Sequence, residues 1–167
     1  MFLYSLLALA VVTALIFAAP LKAKVWATLA VVAAGALWAS ATAVGVLAGG
    51  HTVRLWATDV FLFGSDAGSM DPLSALFALI VSVGAVAAVL YSRGYLAHYL
   101  GRKSPAHISL HYTALATMFY AMLGVVTSEG GFSFLFFWEL MTVASFLLIL
   151  FDAEPTRQAE ISYAVFC

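Results

Sequence analysis

The sequence has little charge and a single cysteine. Only 9% of its 167 residues are charged, and seven basic residues nearly balance eight acidic ones, so no basic patch for nucleic acid is expected. The one cysteine, Cys167, is the last residue, which excludes a disulfide, a cysteine-based zinc site and iron–sulfur ligation within the chain. No GxGxxG or P-loop pattern occurs, so we expect no catalytic site, cofactor or metal in this chain.

Long apolar runs take the place of such motifs. Hydrophobic residues make up 65% of the chain, and the mean hydropathy is +1.06. A helix crosses the hydrocarbon of a bilayer with about 20 apolar residues. Five runs are predicted to do so, at about residues 3–19, 25–48, 72–91, 110–127 and 132–151. A sixth begins at Ile161 and stops after seven residues. The predicted fold is therefore all-α, a multi-pass membrane protein.

The charged residues predict an orientation for these five helices. The first run has no positive charge before it, which distinguishes it from a signal peptide. Loops after the first, third and fifth helices hold six basic residues, and the other loops hold only Arg54, so the N-terminus is predicted to lie outside. Residues 51–70, with alternating TVRLW followed by VFLF and with Asp59 near the break between them, are predicted to form a short external hairpin. The acidic residues on that side are Asp59, Asp66, Asp71 and Glu129.

Small and polar residues indicate which helix faces pack together. Helices in lipid associate through small side chains and shared hydrogen bonds. Such residues recur every four positions as Gly35, Ala39 and Ala43 on the second helix, and as Ser74, Ala78 and Ser82 on the third. On the fourth helix, one face carries Thr113, Thr117, Tyr120, Gly124 and Thr127. This face either packs against other helices or holds water near the carboxylate described next.

Glu139 lies inside the fifth apolar run, in the stretch FFWELM. It is seven residues from Phe132, or roughly 10 Å from the end of the helix. An ionised carboxylate in hydrocarbon costs several kcal/mol, so Glu139 has to be protonated, paired, or directed into a wet cavity. Burial favours the neutral acid and a nearby lysine favours the ionised form. A site between these two influences can load and release a proton. Alternatively, Glu139 stays protonated and hydrogen-bonds to Thr142.

Three stretches resemble a known family: MDPLSALF, VLYSRGYL and FFWELMTVASFLLI. They are similar to the antiporter-like subunits of respiratory complex I, of multisubunit sodium/proton antiporters and of energy-converting hydrogenases. The stretches DPLSALF and LYSRGYL are most similar in sequence to hydrogenase-4 component B and its formate hydrogenlyase counterpart. The resemblance covers roughly residues 50–167.

The resemblance implies a subunit of about fourteen helices with two inverted repeats of five. Residues 1–167 are then the N-terminal part of a single antiporter-like transmembrane domain. Glu139 matches the family's fifth-helix glutamate, which pairs with a lysine on a seventh helix that residues 1–167 do not include. Asp71 matches a position that is usually acidic in the family, although the start of the third helix explains it equally well, with Asp71 as N-cap and Pro72 at the first helical position.

Three functions follow as hypotheses. The first is a proton-translocating subunit of an energy-converting redox complex, of the hydrogenase-4 or NADH-quinone oxidoreductase type, in a prokaryotic cell membrane. The second is a subunit of a multisubunit sodium/proton antiporter. The third is a structural scaffold in which Glu139 is permanently protonated. The expected partners are other subunits of the complex, the lipid bilayer and protons, with sodium as the alternative ion. The proposed proton-transfer residue is Glu139, with Thr142, Tyr120, Thr117 and Asp71 in support.

Overall fold

The computed structural model describes residues 11, 14–20, 23–60, 64–97 and 103–152. The helical residues 11 and 14–18 are labelled α1. The other elements are α2 (Lys24–Gly49), β1 (Val53–Val60), β2 (Gly64–Met70), α3 (Pro72–Ala97), α4 (Pro105–Thr127) and α5 (Gly131–Asp152). Within this part of the chain, the four helices α2 to α5 are long and apolar enough to cross a membrane. The predicted sixth helix and most of the first lie outside the described residues.

Helices α2 and α5 extend one residue beyond the predicted apolar runs at each end. Helix α3 runs to Ala97 and α4 begins at Pro105, so each extends past one end of its predicted run. Hydropathy detects only the apolar part of a helix, whereas both of these continue into polar sequence. The start of α4 has a cap, since the Ser104 hydroxyl accepts a hydrogen bond from the His107 backbone N–H, with proline at the first helical position.

A hairpin is present in the predicted segment, but the predicted break near Asp59 was wrong, because Asp59 lies inside β1 and pairs with Ser65 of β2. Strands β1 and β2 pair antiparallel, with an irregularity between Arg54 and Trp56. Gly68 lies under the Trp56 indole, where a Cβ would be 2.2 Å from the ring nitrogen. The hairpin also contacts the loop between α4 and α5, because the Glu129 N–H donates to the Ala67 carbonyl at 2.9 Å. We call this end of the helices the hairpin side and the opposite end the far side.

The core lies between α2, α3 and α4. Helices α2 and α3 pack on each other, and the small residues Ala39, Ala43, Ala78 and Ser82, predicted to mark close contacts, are all buried. Helix α4 lies against α2, α3 and α5, whereas α5 packs mainly on α4 and β2. The apolar window of α4 is 39% buried and that of α5 only 11%. Helix α5 is therefore the least covered of the four spans.

Two lysines on the far side stabilise the ends of helices other than their own. The last carbonyls of a helix have no donor within the helix. The Lys24 ammonium donates to the carbonyls of Ile16 and Phe17 at 2.9 Å each. The Lys103 ammonium donates to the Phe151 carbonyl and lies 4.1 Å from the centre of the Phe151 ring. Both side chains therefore act as caps.

The N-cap predicted for α3 is confirmed, because the Asp71 carboxylate accepts the Ser74 backbone N–H at 2.6 Å. This bond and the bond from the Ser74 side chain lower the pKa of Asp71. We expect Asp71→Ala to cost about 1 kcal/mol of stability at neutral pH. A lowered pKa stabilises the folded state above the ordinary aspartate value of about 3.9, and this stabilisation is lost as the pH falls through the folded value.

Thermal unfolding of the intact protein in detergent measures this effect. The difference between the wild type and Asp71→Ala is expected to narrow as the pH falls below about 4. Asp71→Asn keeps an acceptor oxygen and serves as the matched control, with little dependence on pH. A difference that stays constant into strong acid would contradict the capping role of the ionised carboxylate.

Candidate functional site

Glu139 lies on the least covered face of α5. It is eight residues from Gly131, or about 12 Å along the helix. Its side chain is exposed, and so are the large apolar residues around it. The exposed apolar residues before and after it on α5 include Leu135, Trp138, Val143, Phe146 and Ile149. A carboxylate surrounded by apolar side chains at this depth is the feature that the sequence predicted.

The opposite face of α5 packs on α4. The Phe137 ring lies on Gly124, where a Cβ would be 2.3 Å from the ring. Ser133 and Ala144, on the same side of α5, are buried. Glu139 follows Phe137 by two residues, which is about 200° around the helix. The carboxylate therefore points away from α4.

Thr142 lies on the Glu139 face, as predicted, but its hydroxyl bonds within its own helix. It donates to the Trp138 carbonyl at 3.1 Å. Because a hydroxyl has a single proton to donate, Thr142 does not donate to Glu139 in this arrangement. Its oxygen can still accept a hydrogen bond from a protonated Glu139, so the alternative in which Glu139 stays protonated and bonds to Thr142 stays a prediction.

The structure brings the predicted polar face of α4 to other helices rather than to Glu139. The Tyr120 hydroxyl donates to the Val31 carbonyl of α2 at 2.8 Å. Gly35 makes room for this contact, since a Cβ there would be 2.6 Å from the Tyr120 oxygen. Gly124 receives Phe137 from α5, and Thr117 is half-buried. Packing between helices accounts for Tyr120 and Gly124 on this face.

Of the four predicted supporting residues, only Thr142 shares a face with Glu139. Tyr120 and Thr117 are on α4, and Asp71 is at the start of α3 on the hairpin side. Their support of Glu139 stays a prediction, and the geometry does not favour it. Among the described residues, no group of three or more His, Cys, Asp or Glu side chains is arranged to hold a metal ion.

Sequence reasoning missed Asp66, which it placed among the acidic residues of the hairpin side. Asp66 is only 5% exposed. One carboxylate oxygen accepts the Ser133 backbone N–H at 2.9 Å, and the other accepts the Ser133 hydroxyl at 3.0 Å. The carboxylate therefore caps α5 from a different segment. The sequence did carry one signal for this contact. Gly130 and Gly131 stand at the start of α5 and have no side chain that could cap the helix, so a cap from another segment was to be expected.

Two clefts lie at opposite ends of the helices. On the hairpin side, a polar cleft of about 440 Å³ is lined by Arg54, Asp66 and Glu129 together with neighbouring backbone. On the far side, a cleft of about 380 Å³ lies between α3, α4 and α5, beside Tyr95 and His111. Glu139 lines neither of these two clefts.

Comparison with curated proteins gives partial matches to antiporter subunits. The chain is 35% identical over 82 residues to antiporter subunit mnhA2 of Staphylococcus saprophyticus, a match that covers 49% of this chain. It is 40% identical over 92 residues to Na(+)/H(+) antiporter subunit A1 of Staphylococcus aureus strains JH9 and Newman, a match that covers 55% of this chain. The similarity supports an antiporter-like family. Each match spans 10% of the relative's own length.

No protein-family model matches the chain. The similarity to antiporter subunits agrees with the broader of the two resemblances found in the sequence, that to antiporter-like subunits in general. These relatives are named as antiporter subunits, so they do not support the narrower resemblance to hydrogenase-4 component B. Together with the four apolar helices, the matches support a multi-pass membrane protein of the antiporter-like kind.

Proposed function

We propose that this chain is part of a proton-translocating subunit of a multisubunit sodium/proton antiporter, located in a prokaryotic cell membrane. In this proposal Glu139 accepts and releases the transported proton, and the subunit works with other membrane subunits. The observation that carries the proposal is the exposed Glu139 carboxyl within an apolar face of α5. The similarity to sodium/proton antiporter subunits favours this function over the redox complex.

The surroundings of Glu139 require a partner. Leaving an ionised carboxylate among Trp138, Val143 and Phe146 in hydrocarbon costs several kcal/mol. Intramembrane acids consequently face a protein interior, a basic group or water. Since α5 turns this face away from α4, the partner has to approach from the side that the described residues leave open.

The described basic residues do not supply that partner. Lys24 and Lys103 cap the ends of α1 and α5 on the far side. Arg93 lies 5.5 Å from the Trp26 ring, also at the far side, and Arg54 is in the hairpin. All four lie beyond or near the helix ends. We therefore place the basic partner of Glu139 on a segment or subunit outside the described residues.

The proposed cycle depends on the distance between Glu139 and that basic group. When the basic group approaches, the ionised carboxylate is favoured and the proton leaves; when it withdraws, the apolar surroundings favour uptake. Moving one proton against 100 mV requires about 2.3 kcal/mol. A change of about two powers of ten in proton affinity supplies this. No redox cofactor has to touch the chain.

A redox complex is the second candidate. The stretches DPLSALF and LYSRGYL favour the redox complex, because their sequences are most similar to hydrogenase-4 component B. In that case oxidation and reduction in other subunits move the basic group. A scaffold with a permanently protonated Glu139 is the third candidate.

Proteoliposomes containing the intact complex distinguish the first two. A pH gradient is set up across the vesicle without an electron donor, and a pH-sensitive dye reports it. We expect added sodium to dissipate the gradient. Potassium at equal concentration is the matched control for ionic strength. A gradient that responds only to an electron donor would instead identify the redox complex and overturn the antiporter proposal.

A further inference from the structure

We propose that Asp66 is a positioning residue for Glu139, and that the hairpin sets the height and rotation of α5 through the Asp66 carboxylate. The statement about α5 rests on the contacts described below. Its consequence for transport also rests on the function proposed for Glu139. We call the hydrogen bonds between Asp66 and Ser133 the Asp66 clamp.

The Asp66 clamp is built from a buried and fully used carboxylate. One oxygen accepts from the Ser133 N–H, and the other accepts from the Ser133 hydroxyl and from the Ala67 N–H at 2.9 Å. Ser133 is 0% exposed. A glycine at position 130 is required, because a Cβ there would be 1.7 Å from the Asp66 oxygen. The carboxylate thus accepts a free N–H group of the first turn of α5.

The hairpin can hold α5 because its own position is fixed. Asp66 is paired with Thr58 in the two-stranded sheet. The carbonyl of the next residue, Ala67, accepts the Glu129 N–H, and Gly68 forms a bridge with Ser128. The clamp therefore joins α5 to a segment that is also bonded to the end of α4. Asp66 defines where α5 begins relative to both neighbours.

The remaining contacts of α5 make this clamp important. Helix α5 packs mainly on α4, and its Glu139 face is uncovered. A slip of one residue along α4 would move Glu139 by about 1.5 Å along the axis and about 100° around it. Such a slip turns the carboxyl from the open face towards α4. Ser133 is six residues from Glu139, so the clamp acts about 9 Å away along the same helix.

Two measurements on the intact complex test the proposal. The first is disulfide formation between Gly124→Cys and Phe137→Cys in a Cys167→Ser background. These positions face each other across α4 and α5, and the second substitution removes the ring that would collide. A slip separates them and lowers the disulfide yield, since the bond needs Cβ atoms about 4 Å apart. The second is the maximal rate of proton transport without the added cysteines.

We expect Asp66→Ala to lower the disulfide yield and to lower the transport rate on the order of 10- to 100-fold, because small misplacement of a reacting group has effects of this size. Glu129→Ala is the matched control. It removes an exposed carboxylate from the loop before α5 that has no part in the clamp, and both readouts should stay at the wild-type level. Equal losses in Glu129→Ala would overturn the proposal.

A milder variant covers the case in which Asp66→Ala does not assemble. Asp66→Asn replaces one of two accepting oxygens with a donor, so a smaller loss in both readouts is expected. An assembled Asp66→Ala or Asp66→Asn complex with unchanged disulfide yield and transport would overturn the proposal. If Glu139→Gln leaves transport intact while Asp66→Ala still lowers the disulfide yield, the proposed function fails and the positioning of α5 stands.

Discussion

Replacing Glu139 with Gln is expected to lower proton transport by the intact complex on the order of 100-fold, the loss typical when a positioned proton-transfer group is removed. Glutamine has nearly the same shape and keeps a hydrogen-bonding end, but it cannot release a proton near neutral pH. Because glutamine keeps the size of the side chain and a polar end for the proposed partner, we expect the complex to assemble. The initial rate of pH change in sealed vesicles measures the effect.

Glu129→Gln is the matched control for this substitution. It changes another glutamate of the same chain, which lies in the loop before α5 and is exposed to solvent. Its transport rate should remain within a factor of about two of the wild type, because an exposed loop carboxylate is hydrated. A Glu139→Gln complex that assembles and transports normally would favour the scaffold, in which the carboxyl keeps its proton throughout.

Introducing a methyl group at Gly124 is expected to have the second largest effect. In Gly124→Ala the Cβ would be 2.3 Å from the first ring carbon of Phe137. That atom is bonded to the Phe137 Cβ and moves only when χ1 changes, so either the ring leaves this rotamer or the two helices separate. Overpacking of this kind costs about 1–3 kcal/mol. Thermal unfolding in mild detergent should show the loss.

Gly84→Ala on α3 is the matched control, because nothing lies within 4 Å of the position that its Cβ would occupy. It should be neutral or slightly stabilising, as expected for alanine in place of glycine in a helix. In a Phe137→Ala background the ring is absent and so is the collision. Gly124→Ala should therefore lower the unfolding temperature less in that background than in the wild type. Equal unfolding temperatures for Gly124→Ala and Gly84→Ala would show that α4 and α5 do not approach as described.

The sequence predicts the helices well because crossing a bilayer imposes a strong constraint on length and polarity. Hydropathy did not predict the end of α3 at Ala97 or the start of α4 at Pro105, because both residues lie in polar sequence. Capping chemistry does carry one, because a serine followed by a proline, as at Ser104 and Pro105, is typical of a helix start. Alternation predicted the first strand of the hairpin but not the second, because β2 has the sequence GSDAGSM and lacks alternating hydrophobic residues.

The candidate site could be predicted only in part. The depth of Glu139 follows from counting residues, but its direction depends on which face of α5 packs on α4. The contact between Phe137 and Gly124 decides that, and neither residue type is specific enough to predict it. Asp66 was out of reach for a similar reason, because its partner Ser133 is 67 residues away and an aspartate in a hairpin normally faces water.

The separation between Asp66 and Ser133 has a consequence for biosynthesis. A ribosome makes the chain from its N-terminus, so the hairpin has been synthesised before the first residue of α5 emerges. The acceptor for the start of α5 is then already present on the side of the membrane where that helix begins. This order of synthesis allows the Asp66 carboxylate to accept the Ser133 N–H as soon as the start of α5 reaches the hairpin.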